Sequence, residues 1–65
     1  MPDNTVLVLG KFYRIKGGHG VMRLDELPDP PRKVTITFRQ KGGVFYWAFP
    51  EQILSGPHET WEGEA

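Results

Sequence analysis

The stretch from Val34 to Phe49, VTITFRQKGGVFYWAF, constrains the fold more than any other part of this chain. It reads as a β-hairpin. Val34, Ile36 and Phe38 alternate with Thr35, Thr37 and Arg39, the period of two that marks a half-buried strand. Gln40-Lys41-Gly42-Gly43 supplies the turn, with glycines that accept positive φ without steric cost. Val44 to Phe49 is a second strand, apolar on both faces. Loop length decides which rings are buried. A two-residue turn or a four-residue loop sets Phe45, Trp47 and Phe49 on the face of Val34, Ile36 and Phe38. A three-residue loop with a glycine bulge sets Val44, Tyr46 and Ala48 there instead, because a slip of one residue turns every side chain over. The first register is the expected one. It buries three large rings and leaves Tyr46, whose hydroxyl is best solvated, on the outer face near Arg39.

The rest of the chain must complete a core around that hairpin with little material. Its 65 residues make one domain, near the lower limit for folding without a staple. Cysteine is absent, so neither a disulfide nor a cysteine-rich zinc site is available. His19 and His58 lack ligand-spaced partners, so no metal and no cofactor are expected. Apolar residues make up 38% of the chain and aromatics 12%, which suits a globular domain. No apolar run approaches the ~20 residues of a membrane span, and the opening MPDNTVLVLG lacks the features of a secretory signal. A cytoplasmic, thiol-free protein is the expectation.

The formal net charge is zero but unevenly spread. Residues 1–50 hold all eight bases and four of the eight acids; Glu51, Glu59, Glu62 and Glu64 balance them from the C-terminal end.

Thr5 to Leu9 is a short β-prone run, apolar on both faces, that suits a lead-in strand or a pairing edge. Lys11 to Lys16 is the next strand, with Tyr13 and Ile15 on the core face and Phe12, Arg14 and Lys16 toward solvent. Gly17-Gly18-His19-Gly20 is a tight turn. It leads into a β-prone run rather than a helix, which argues against a phosphate cradle. Val21 to Leu27 follows, with Met22 and Leu24 on one face and Val21 and Arg23 on the other, and with a bend near Asp25-Glu26. Pro28-Asp29-Pro30-Pro31 ends it, since proline donates nothing to a ladder. After the hairpin, Pro50 opens a single helical turn, and Ile53 and Leu54 close a barrel. The domain is expected to span residues 1–56. Residues 57–65 form an acidic, flexible tail from which Trp61 folds back onto the body.

This order of parts resembles an SH3-like small β-barrel of the broad Tudor and KOW group, over about residues 9–56. The resemblance is carried by Gly10-Lys11-Phe12-Tyr13-Arg14-Ile15, by Gly17-Gly18-His19-Gly20-Val21-Met22-Arg23-Leu24, and by Phe49-Pro50-Glu51-Gln52-Ile53-Leu54. The second of these is similar to the glycine-rich core of a KOW motif, with His19 in the region where a basic residue is usual. It implies an all-β barrel of about five strands. The segment Phe45-Tyr46-Trp47-Ala48-Phe49-Pro50 also resembles the active-site strand of type II dihydrofolate reductases, which are oligomeric SH3-like barrels. The glutamine of that family's Val-Gln-Ile-Tyr-Pro-like segment is missing, and Gln52 lies beyond the proline, so the catalytic role does not carry across.

No nucleophile is flanked by a base on a recognisable scaffold, and Ser55 beside His58 lacks a third member. The chain is therefore not expected to be an enzyme. The first expectation is an interaction module that binds a protein partner, or itself, through an aromatic and basic strand face. That face comprises Phe12, Arg14, Lys16, His19, Arg23, Arg39 and Tyr46. The same residues suit the alternative of DNA or RNA binding, in which cations neutralise phosphates and rings stack on bases. Zero net charge favours the protein partner.

Overall fold

The computed structural model describes residues 6–17 and 20–63. The alternation read from the sequence produces an all-β domain: β1 (Phe12–Ile15), β2 (Val21–Glu26), β3 (Ile36–Arg39), β4 (Phe45–Ala48), a 3-10 turn (Pro50–Gln52) and β5 (Ile53–His58). The strands form one antiparallel sheet in the order β4-β3-β2-β1-β5. The expected barrel is not closed, because the ladder stops at β4 on one side and at β5 on the other. Among the described residues no helix is long and apolar enough to cross a membrane.

One side chain from every second position meets in the core. Tyr13 and Ile15 from β1, Met22 and Leu24 from β2, Ile36 and Phe38 from β3, Ala48 from β4 and Ile53 from β5 are all buried together. The Tyr13 and Phe38 rings meet edge-on at 6.1 Å. The Tyr13 hydroxyl escapes the cost of burial by donating to the Val6 carbonyl at 2.6 Å and accepting from the Val8 N–H at 2.9 Å. The lead-in segment is thereby fastened to the core through one phenol, and its described residues, from Val6 on, are not a strand. The bend expected near Asp25-Glu26 is present as a register shift between Leu24 and Glu26.

The hairpin adopts the other register. Ile36 pairs with Ala48, Thr37 with Trp47, Phe38 with Tyr46 and Arg39 with Phe45. The cause lies in the loop. Gln40 and Val44 close a three-residue connection, with the Gly43 N–H bonded to the Gln40 carbonyl at 2.8 Å and the Gln40 N–H to the Val44 carbonyl at 2.8 Å. Gly43 takes φ +96°, the left-handed residue that completes a turn with a glycine bulge. Tyr46 and Ala48 therefore face the core, while Phe45, Trp47 and Phe49 are 44%, 60% and 49% exposed. Val34 precedes the strand and is exposed, so it does not join Ile36 and Phe38 in the core.

The C-terminal end also differs from the expected tail. Backbone pairing with β1 continues through Pro57 to His58, past the boundary expected at residue 56. Gly56 permits this. A Cβ there would lie 2.6 Å from Tyr13 Cδ2 and 2.9 Å from the Phe12 carbonyl oxygen, and its φ is +128°. Leu54, expected to help close a barrel, is exposed beside buried Ile53. Trp61 does fold back, its ring 4.6 Å from that of Phe12.

Candidate functional site

The outer face of the sheet gathers most of the residues singled out from the sequence. Cross-strand pairing sets Phe12 opposite Arg23, Arg23 opposite Arg39, and Arg39 opposite Phe45, so that one row crosses β1 to β4. Arg14 opposes Val21 in the adjoining row, and Arg14 and Lys16 are exposed. His19 lies outside the described residues. Tyr46 is not part of this face. The bulged turn rotates it toward the core, and Phe45 takes the place expected of it beside Arg39.

Two arginines directly opposite each other repel. Asp25, which nothing in the sequence singles out as a partner of either arginine, resolves this. Its Oδ1 accepts from Arg23 Nε at 2.8 Å and its Oδ2 from Arg39 Nε at 2.9 Å. The Arg23 guanidinium, through this hydrogen bond, holds the Asp25 carboxyl below its usual value, with Arg39 adding to the effect and partial burial opposing it. The same bond to Asp25 pushes Arg23 up. Beside this clamp, Lys33 donates to both Glu26 and the hydroxyl of Thr37, and the Thr37 hydroxyl bonds Glu26 at 3.1 Å. Lys33, ahead of Thr37, lowers the Glu26 carboxyl.

At the β4 end the Arg39 guanidinium carbon lies 4.2 Å from the centre of the Phe45 ring, and Phe45 and Trp47 stack at 6.0 Å between centroids. A cation held over a ring face is attracted by its quadrupole, so Arg39 fixes Phe45 from one side. Phe45, Trp47, Thr37, Asp25 and Glu26 line a shallow recess of about 340 Å³. Its carboxylates already carry Arg23, Arg39 and Lys33 as partners, so it has apolar walls and a neutralised polar floor.

At the β1 end the face is covered. Trp61 sits on Phe12, with the Arg23 guanidinium carbon 5.9 Å from the indole centroid. Lys11 pairs with Glu59 at 2.6 Å. Gly63 closes over the edge: a Cβ there would stand 3.0 Å from Val21 Cγ2 and 3.5 Å from a terminal nitrogen of Arg14. Phe12 and Arg23, two of the residues expected to bind a partner, are thus occupied by the chain's own C-terminal segment, while Arg14 and Lys16 stay exposed.

Ser55 Oγ and His58 Nε2 are 2.9 Å apart on β5. Among the described residues no carboxylate bonds that imidazole, Glu59 being engaged by Lys11, and no group of three His, Asp or Glu is placed to hold a metal. Compared with known protein families, with curated proteins and with solved structures, the chain finds no match.

Proposed function

We propose that this protein is a non-catalytic interaction module of the SH3-like kind that binds a protein partner through the open, β3–β4 half of its outer face. The strand order β4-β3-β2-β1-β5 and the 3-10 turn before β5 support that fold reading. One observation carries the functional one: Phe45 and Trp47 stand exposed on a strand at the sheet's edge, and Phe49, just past its end, is exposed as well. Exposed rings of this size are costly in water and are the side chains most enriched at the centres of protein interfaces. Arg39 adds a hydrogen-bonding group at the rim.

Charge supports a protein partner over nucleic acid. At least five of the eight bases are already paired with carboxylates within the chain: Lys11, Arg23, Arg32, Lys33 and Arg39. Asp25 and Glu26 line the recess beside the rings, where a phosphate backbone would meet them. Phosphate-driven affinity needs uncompensated cations, and a peptide needs rings and a neutral floor.

The test is selection from a displayed peptide library, with binders titrated against the parent and against Trp47→Ala. Peptides rich in apolar residues, with affinity at least about tenfold weaker for the variant, are the expected result. Labelled DNA and RNA are titrated in parallel at low and moderate salt. Binding of nucleic acid that collapses with salt, together with no peptide enrichment, would overturn the proposal.

A further inference from the structure

The backbone of β4 says more about the partner than its side chains do. Antiparallel pairs alternate between those that exchange hydrogen bonds and those that do not. Gln40 and Val44 are a bonded pair, so Phe38–Tyr46 and Ile36–Ala48 are bonded in turn, and Arg39–Phe45 and Thr37–Trp47 are not. The N–H and C=O groups of Phe45 and Trp47 consequently point away from β3, along the open edge. Phe49 would be next in that series, but its N–H already bonds Gln52 Oε1 at 2.8 Å and its carbonyl accepts from the Gln52 N–H at 2.9 Å. The open ladder is therefore two residues long, and it ends where the 3-10 turn begins.

Natural edge strands are protected by charges, prolines, bulges or a covering element. From Val44 to Phe49 there is no charged residue and no proline, and among the described residues nothing pairs with this side of β4. Resting on the reading of this face as a protein-binding surface, we infer that the partner is a second copy of the same chain, paired antiparallel through β4.

The geometry permits one register. With only Phe45 and Trp47 open, each must oppose the other: Phe45 against the partner's Trp47, Trp47 against the partner's Phe45, and a two-fold axis passing between the two copies of Tyr46. All four open groups on each strand are then satisfied, and the outer-face rings meet across the axis as cross-strand aromatic pairs. Antiparallel pairing also sets the turn before one strand, which holds Lys41, toward the end of the other, which runs on to Glu51. A zero net charge leaves no long-range repulsion between copies. Three rings about half exposed hide on the order of 300 Å² per copy, below the ~800 Å² per partner of a standard interface. The dimer is accordingly weak and forms at high micromolar concentration.

Sedimentation equilibrium from about 10 µM to about 1 mM tests this on the full chain. The expected result is a mass that rises toward twice the monomer's for the parent and stays monomeric for Trp47→Lys, whose site is exposed and whose fold is checked by circular dichroism. The register is tested separately. The chain has no cysteine, so Tyr46→Cys places one thiol on the axis and should oxidise to a disulfide-linked dimer, while Val44→Cys should not. A parent that stays monomeric throughout would overturn self-pairing and leave the peptide-binding face standing if selected peptides still depend on Trp47. A dimer that survives Trp47→Lys would overturn it by placing the interface elsewhere, and a dimer in which Val44→Cys crosslinks instead would overturn the register.

Discussion

The two halves of the outer face use the same chemistry and end in opposite states. Over β1 and β2, an arginine and a ring, Arg23 and Phe12, lie beneath Trp61. Over β3 and β4, an arginine and a ring, Arg39 and Phe45, lie beside Trp47, which is open. Asp25 joins the halves by bonding both arginines. What separates them is reach: the C-terminal segment after β5 extends over β1 and β2 only. The covered half shows how this chain satisfies a ring beside an arginine, by laying another aromatic on both. The same substitution should therefore act on stability in one half and on association in the other.

The sharpest way to break the covered half is to push β5 away from β1. Gly56→Ala places a methyl group against the Tyr13 ring and the Phe12 carbonyl at a positive φ. A loss of more than ~3 kcal/mol is expected, enough for a domain this small to lose its near-ultraviolet circular dichroism at room temperature. The comparison itself is tested by two tryptophan truncations followed by calorimetry. Trp61→Ala should cost about 1–2 kcal/mol and lower the melting temperature by roughly 5–15 °C, while Trp47→Ala should stay within ~0.5 kcal/mol of the parent. Equal effects would mean that the halves are not distinct.

Asp25→Asn, which leaves Arg23 facing Arg39 without a counter-charge, should cost about 1 kcal/mol. The acid limb of the stability curve gives a second check. Asp25 and Glu26 titrate lower in the fold than their ordinary values of 3.8 and 4.5. Within that interval the unfolded chain binds more protons, so their contribution is complete above the ordinary values and is lost as pH falls through the folded ones. Denaturant midpoints measured from pH 6 down should fall below about pH 4.5, and less steeply in Asp25→Asn. The smallest effect belongs to the exposed Lys11–Glu59 pair: Lys11→Ala should shift stability by only a few tenths of a kcal/mol, and salt should erase the difference.

Much of this arrangement was legible in the sequence, and the failures have definite causes. Period-two alternation grouped Tyr13 with Ile15, Met22 with Leu24 and Ile36 with Phe38, and each of these pairs lies in the core. Pro50 marked the 3-10 turn. Val44 to Phe49 is apolar on both faces, so its facing depended wholly on the loop. Gly42-Gly43 is compatible with a turn of two residues or of three, and one glycine at positive φ decided the matter. That single torsion moved Tyr46 inward and three rings outward, and so changed which rings the proposed binding face presents. Ser55-Gly56-Pro57 read as the end of the compact region because glycine and proline usually punctuate. Here the glycine admits a close approach to Tyr13, and the proline lies in a strand at the sheet's edge, where a missing donor is tolerated. Asp25 was invisible for another reason. Its role arises from Arg23 and Arg39, sixteen positions apart in the chain and adjacent only across β2 and β3.

The chain contains two tryptophans, and the fold has put one in each half. Its native emission is therefore a sum of two optical signals with separable meanings. Trp47, 60% exposed, should emit at longer wavelength and be quenched readily by acrylamide, whereas Trp61, packed against Phe12, should emit at shorter wavelength and be shielded. Occupation of the open half changes the first signal, and release of the C-terminal segment changes the second. The protein carries, without any label, a separate reporter for each event.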